Sequence, residues 1–286
     1  MQNNLTSNIE TYIETMPSLP TSVTKVLEIC NNAQTSPADL NQVISLDPVL
    51  VGRVLKLLNS AYYGLGQQIT SLVRAIIMLG INTVKNLALS TAVMGSISDN
   101  KNPQGLNMEG FWRHSLCTGV TAKLIAKRRG IDPKQLEEYF TAGLLHDIGK
   151  VPINAAIPDR YMLSIADADR EKIPLFRVEE QNLGINHCAA GAMIVRAWKL
   201  EGPAAEVIVH HHSPDEYKGN YQDILCTIIA ADYFATKEEI GFSGSRFPEA
   251  PNDFVWQTLG AKEALFEGIE KPINEEINKA KVFLKI

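Results

Sequence analysis

Ala142-Gly143-Leu144-Leu145-His146-Asp147-Ile148-Gly149-Lys150 sets a histidine and an aspartate side by side at the end of an apolar segment. A carboxylate in that position is costly to bury unless something cationic neutralises it. The segment carries no period-two alternation and follows Asp132-Pro133, a helix-start signal, so it reads as a helix running to about His146. Upstream, Phe111 to Arg129 reads as a long helix closed by Lys127-Arg128-Arg129-Gly130, with cations in the last turn and glycine at C′. Downstream, helical pattern recurs near 157–168, 173–183, 187–200, 203–212, 221–238 and 273–285. No stretch alternates long enough to require a strand, and the expected fold is all-α.

The N-terminal part has the same punctuation. Ser36-Pro37-Ala38-Asp39 supplies an N-cap, a proline at the first helical position and an acidic N3 residue. Asp47-Pro48 opens a helix with Leu50, Val51, Val54, Leu55 and Leu58 at spacings of three and four. Residues 59–70, with Gly64 and Gly66, read as a loop; helices follow over 72–79 and from Val84 to about Ile97. Asp99 to Asn107 mixes charge, Asn, Pro and Gly without periodicity and is expected to separate two helical lobes, 1–100 and 108–286. The amphipathic 274–286 segment, with Ile277, Val282, Phe283 and Leu284, is expected to dock on the body.

With 286 residues, 45% hydrophobic and 21% charged, the composition is that of an ordinary globular chain, and about 150 residues per domain suggests two domains. A net charge of -5 and a pI near 5.7 argue against a nucleic-acid-binding surface. The longest apolar runs are broken by Arg74 and Gly80, so no membrane span is expected. The start, Met1-Gln2-Asn3-Asn4-Leu5, lacks the features of a signal peptide, and a cytoplasmic location is expected. Cys30, Cys117, Cys188 and Cys226 form no C-x-x-C pair and read as buried hydrophobes; Cys188 stands out only for adjoining His187.

The six histidines fall at 114, 146, 187, 210, 211 and 212, leaving the first lobe with none. His114 shares a helix face with Phe111, Cys117, Thr118, Thr121 and Ile125, so it points inward. Asp232, in Ile228-Ile229-Ala230-Ala231-Asp232-Tyr233-Phe234, is a second inward carboxylate that wants a metal, an arginine or strong donors. His211-His212 sits where helix gives way to Ser213-Pro214, a place where side chains can converge. Imidazoles with two carboxylates suit iron, manganese, zinc or cobalt.

The segment Leu144 to Lys150 resembles the His-Asp signature of the HD superfamily of metal-dependent phosphohydrolases. His114, His187, His211-His212 and Asp232 match its order and spacing. Leu19-Pro20-Thr21-Ser22, Asp47-Pro48, Leu57-Leu58-Asn59-Ser60-Ala61-Tyr62-Tyr63 and Ala75-Ile76-Ile77-Met78-Leu79-Gly80 are similar to the N-terminal lobe of the HDOD domain, a group related to the HD-GYP phosphodiesterases. The resemblance covers about residues 16–240. It implies one metal on His114, His146, Asp147 and Asp232, with Asp147 bridging to a second on His187, His211 and His212. It gives Lys150 a place near substrate phosphate, and it leaves His210 a core or supporting role. Where the phosphodiesterases carry a Gly-Tyr-Pro element, this chain reads Ser213-Pro214-Asp215-Glu216-Tyr217-Lys218-Gly219-Asn220, so recognition of cyclic-di-GMP is not implied. Gly110 stands where a glutamate serves a third metal, so a trinuclear site is not implied either.

By that resemblance the chain is expected to be a signal-transduction or regulatory protein with two divalent ions, iron or manganese, and a signalling protein partner or a nucleotide or phosphoester ligand. An active phosphohydrolase using Asp147 and Lys150 is the second reading, and a di-iron oxygenase-like or redox-sensing protein the third. The regulatory reading is favoured if the first lobe, with Tyr62 and Tyr63, closes the metal pocket.

Overall fold

The structure, a computed structural model, describes residues 2–32, 34–97 and 105–285. Its helices are α1 (Gln2–Thr15), α2 (Thr21–Cys30), α3 (Pro37–Ile44), α4 (Pro48–Leu58), α5 (Leu72–Leu79), α6 (Ile81–Ile97), α7 (Met108–Arg128), α8 (Leu136–Leu145) and α9 (Lys150–Ala156). They continue as α10 (Pro158–Glu171), α11 (Leu175–Leu183), α12 (His187–Ala197), α13 (Pro203–His210), α14 (Gln222–Lys237), α15 (Asp253–Leu259) and α16 (Glu270–Ala280), then a 3₁₀ turn over Lys281–Lys285. No strand occurs among the described residues, and the fold is all-α. Of the expected lobe boundary, 99–104 lies outside the described residues.

Helices α2 to α6 pack on one another as the first lobe. The Ser36–Asp39 capping box forms in both directions. Asp47 caps α4 by accepting the Leu50 N–H at 2.9 Å and also accepts the Ser22 hydroxyl at 2.6 Å, tying the start of α2 to the start of α4. Asn59 then pins the loop by exchanging two hydrogen bonds with the Ile69 backbone, at 2.8 and 2.7 Å. Helix α6 is buried nearly all round, because it packs on α2, α4 and α5 on one side and on α8 of the second lobe on the other. Helix α1, inside the expected first lobe, lies instead against α9, α11 and α12.

Helices α7, α8 and α14 form the centre of the second lobe. Where α7 crosses α8, a Cβ on Gly143 would come within 2.7 Å of the Gly119 Cα, so only glycines allow this approach. The crossing brings His114 on α7 and His146 at the end of α8 to a ring separation of 5.7 Å. Asp132 does not cap α8: it closes a turn by accepting the Lys134 N–H, and the helix begins three residues later than Pro133.

The C-terminal segment docks as expected. Phe283, 1% exposed, inserts between Phe140 of α8 and Tyr62 of the first lobe, with ring centroids at 4.8 and 5.5 Å. Tyr62 and Tyr63 thus turn into the interface between the lobes, beneath the Lys123 ammonium that pairs with Glu137.

Candidate metal centre

His114 and Asp232 face each other from α7 and α14, with Nε2 2.8 Å from Oδ1. His146 Nε2 lies 3.4 Å from Asp147 Oδ2 and 3.5 Å from Asp232 Oδ1. On the other side of Asp147, Oδ1 is 3.3 Å from His187 Nε2 and 3.6 Å from His211 Nε2. The Nε2 atoms of His211 and His212 lie 3.2 and 3.1 Å from that of His187. The structure therefore gathers His114, His146, Asp147, His187, His211, His212 and Asp232 into one place, with Asp147 between two groups of donors. His210 is outside it, half-buried, 3.7 Å from Glu206 and against the Tyr217 ring.

The orientation of the imidazoles is fixed from behind. His146 Nδ1 is 2.7 Å from the Gly143 carbonyl and His211 Nδ1 is 2.9 Å from that of Val207. A carbonyl can only accept, so both rings donate from Nδ1 and turn Nε2 inward. His187 Nδ1 donates to Glu179 Oε2 at 2.6 Å, and Glu179 also accepts the His187 backbone N–H and the Tyr161 hydroxyl, each at 2.8 Å. Close backbone contact holds the two ligand turns together: a Cβ on Gly149 would overlap the His187 carbonyl oxygen and come within 2.6 Å of the Gly191 nitrogen.

Lys150 is 3% exposed, and its ammonium donates to Asp147 Oδ2 at 2.6 Å and to Ser243 Oγ at 3.3 Å. Burial works against all of these charges, but the partners prevail. Asp147 is held well below the ordinary carboxylate range by His146 and Lys150, and Asp232 likewise by His114 and His146. His146, pushed down by burial, is raised overall to about 9 by Asp147 and Asp232. His187 and His212 are lowered, first by burial, which leaves them neutral and able to coordinate.

Two buried atoms at the centre, His146 Nε2 and Asp147 Oδ1, have no hydrogen-bond partner. Orphaned polar atoms are expensive, and two of them aimed into a cluster of nitrogens and carboxylates are what a cation would satisfy. The residues fit a divalent metal centre. Above it lies a cleft of about 590 Å³, reached by Lys150, His187, His211, His212, Asp232 and Ser243. Among the described residues every one that lines it lies between Lys150 and Val255, and none belongs to helices α2 to α6.

Glu179, Tyr161 and Ser243 were not singled out from the sequence, nor was Phe176, whose ring stacks on His212 at 4.1 Å. A model of the HDOD domain matches residues 16–214. The chain belongs to the HDOD domain family. Asp232 and Ser243 lie beyond the matched part. Among solved structures, an HDOD domain protein of unknown function from Geobacter sulfurreducens aligns over 98% of both chains, with 24% identity and a TM-score of 0.76. A Shewanella amazonensis SB2B protein described as a candidate phosphohydrolase aligns over 96% of this chain and 98% of its own, with 24% identity and a TM-score of 0.70. At these identities the likeness concerns the fold. A Treponema pallidum (strain Nichols) protein described as uncharacterized is 27% identical over 232 residues, which are 80% of this chain and 44% of that protein. This chain thus spans less than half the length of that relative. Among the described residues no single helix is long and apolar enough to cross a membrane.

Proposed function

We propose that this HDOD protein is a regulatory protein whose output depends on a dinuclear centre that binds and hydrolyses a phosphoester. The observation that carries the proposal is the pair of orphaned buried atoms, Asp147 Oδ1, 3.3 and 3.6 Å from the cleft-lining His187 and His211, and His146 Nε2, 3.5 Å from the cleft-lining Asp232. His114, His146, Asp147 and Asp232 would hold one ion, and Asp147, His187, His211 and His212 the other, iron or manganese in this reading. Such ions supply an acidified water and positive charge for phosphoryl oxygens.

The chain's own groups prepare that chemistry. Carbonyls behind His146 and His211, and Glu179 behind His187, keep the Nε2 atoms facing inward. Ser243 and Asp147 hold the Lys150 ammonium at the cleft floor as a fixed charge for a phosphate oxygen. Asp232, 22% exposed at its side chain, is reachable from the cleft. The open cleft, whose wall holds no residue of α2 to α6 among the described residues, favours turnover over a sealed structural site.

Protein loaded with iron or manganese is expected to hold about two equivalents and to release p-nitrophenol from mono- or bis-p-nitrophenyl phosphate, with both properties lost in Asp147→Asn. Failure to bind metal overturns the proposal. A second reading, a metal-holding sensor without turnover, is favoured by the 2.6 Å bond that engages Asp147 with Lys150. Metal-loaded protein that binds these esters in calorimetry but releases no product supports the sensor.

A further inference from the structure

His146, His187 and His211 each have a hydrogen-bond acceptor behind Nδ1: the Gly143 carbonyl, Glu179 and the Val207 carbonyl. His212 differs: its Nε2 lies 3.1 Å from that of His187, and its Nδ1 meets no acceptor among the described residues. A ring stands beside it instead. Phe176 lies 4.1 Å from His212, centroid to centroid, with the two planes 14° apart. The neighbouring imidazoles meet His212 at an angle, His187 at 80° and His211 at 46°. Phe176 and Glu179 are three residues apart on α11 and so share a face, one stacked on His212 and the other bonded to His187. Phe176 and His212 line both the cleft and a neighbouring hollow of about 380 Å³ reached by Asn186, Ala189 and Val209. The stacked pair is the partition between the two, so the half-buried His212 ring has space to turn into.

We infer that Phe176 is a positioning residue whose ring, in place of a hydrogen bond, sets the angle of His212, and that His212 is therefore the exchangeable ligand of the second ion. The inference rests on the dinuclear reading above. A hydrogen bond from Nδ1 to a fixed acceptor aims the opposite nitrogen of an imidazole in one direction. A flat stack holds the plane of the ring but directs neither nitrogen. His187 and His211 are pinned in the first way, so the donor of this half that can give up its place is His212. Phe176 decides where that ring rests: parallel to its own face, with Nε2 beside that of His187. Helix α11 thus serves two ligands by different means, Glu179 fixing His187 and Phe176 restraining His212.

Zinc is the probe, because it is diamagnetic and the readout is then nuclear magnetic resonance rather than activity. In the zinc-loaded full chain, proton–nitrogen correlation spectra of the imidazoles are expected to show sharp signals for His187 and His211 and an exchange-broadened signal for His212. Phe176→Leu keeps apolar bulk without a flat face. It should weaken the second ion on the order of 3- to 10-fold, read by chelator competition, and should shift the His212 signals alone. Phe176→Tyr keeps the face and should restore both the affinity and the spectrum, a rescue that bulk packing does not predict. A sharp His212 signal in the wild type overturns the inference. So does a leucine variant that holds both ions as tightly as the wild type, or a tyrosine variant as weak as leucine. Signals of His187 and His211 that shift as far as those of His212 mark a disturbed α11 and overturn it too. Each of these outcomes leaves two bound ions and the dinuclear centre standing. Protein that takes up fewer than two equivalents of zinc, iron and manganese alike overturns the dinuclear reading itself.

Discussion

A carboxylate removed from solvent as completely as Glu179 persists only when its oxygens are used, and Glu179 spends both, on Tyr161 and on two nitrogens of His187. It never reaches the cleft, yet it sets the ring angle and tautomer of His187, a ligand in the proposed centre. Glu179→Gln should therefore lower affinity for the second ion on the order of 10- to 100-fold while leaving the first nearly unchanged, as read by competition with a chromophoric chelator. Equal weakening of both ions would refute this role. Gly149→Ala forces the His187 backbone aside and should weaken the same ion although no donor is altered; unchanged affinity would show that the turn can yield. His114 and Asp232 were legible from their helix faces, and His146-Asp147 and His211-His212 from their place at segment ends; His187 came only from the family resemblance. Glu179, Tyr161 and Ser243 were not legible, because what marks them is a partner brought in by tertiary folding: Ser243 meets Lys150 from 93 positions away.

Helices with a start signal and a long apolar stripe were readable: α3, α4, α7 and α10 to α14 fall close to where their caps and periodicity put them. Others were not. Helices α1, α2, α9 and α15 went unread, and two of these, α9 and α15, are only seven residues long, too short for periodicity to separate from noise. Element-level links can be tested by stability. Asp47→Ala removes the cap of α4 and the Ser22 bond together and should cost about 1–2 kcal/mol in urea denaturation. Phe283→Ala empties a buried site between two rings and should cost about 3–5 kcal/mol. A cost below about 1 kcal/mol would mean that the C-terminal turn packs without latching the lobes.

Over the whole molecule the buried apolar residues form one connected core from Ile9 to Phe283, so the two lobes share their interior. Unfolding is expected as a single transition, with fluorescence and circular dichroism coincident; separate midpoints would show lobes that melt independently. The pH dependence includes a bridge between α7, α8 and α14. Asp223 accepts both terminal nitrogens of Arg129, at 3.0 and 2.6 Å, and the Tyr139 hydroxyl at 2.5 Å. Burial raises its carboxyl, but Arg129 and Tyr139 hold it below the ordinary 3.8. A carboxyl lowered by folding adds stability above its unfolded value, and that share vanishes as pH falls through the folded one. The midpoint should drop between pH ~6 and pH ~2.5 more steeply in the wild type than in Asp223→Asn. Parallel curves would remove Asp223 from the account.

The near-touching turns at Gly149 and Gly191 bear on inheritance as well as on geometry. A lineage could retire this centre by gaining one methyl group there, keeping every histidine and aspartate in its sequence. A census of metal-binding letters would score such a descendant as intact. Glycines that let two backbones meet are therefore as telling a sign of a living site as the side chains that point into it.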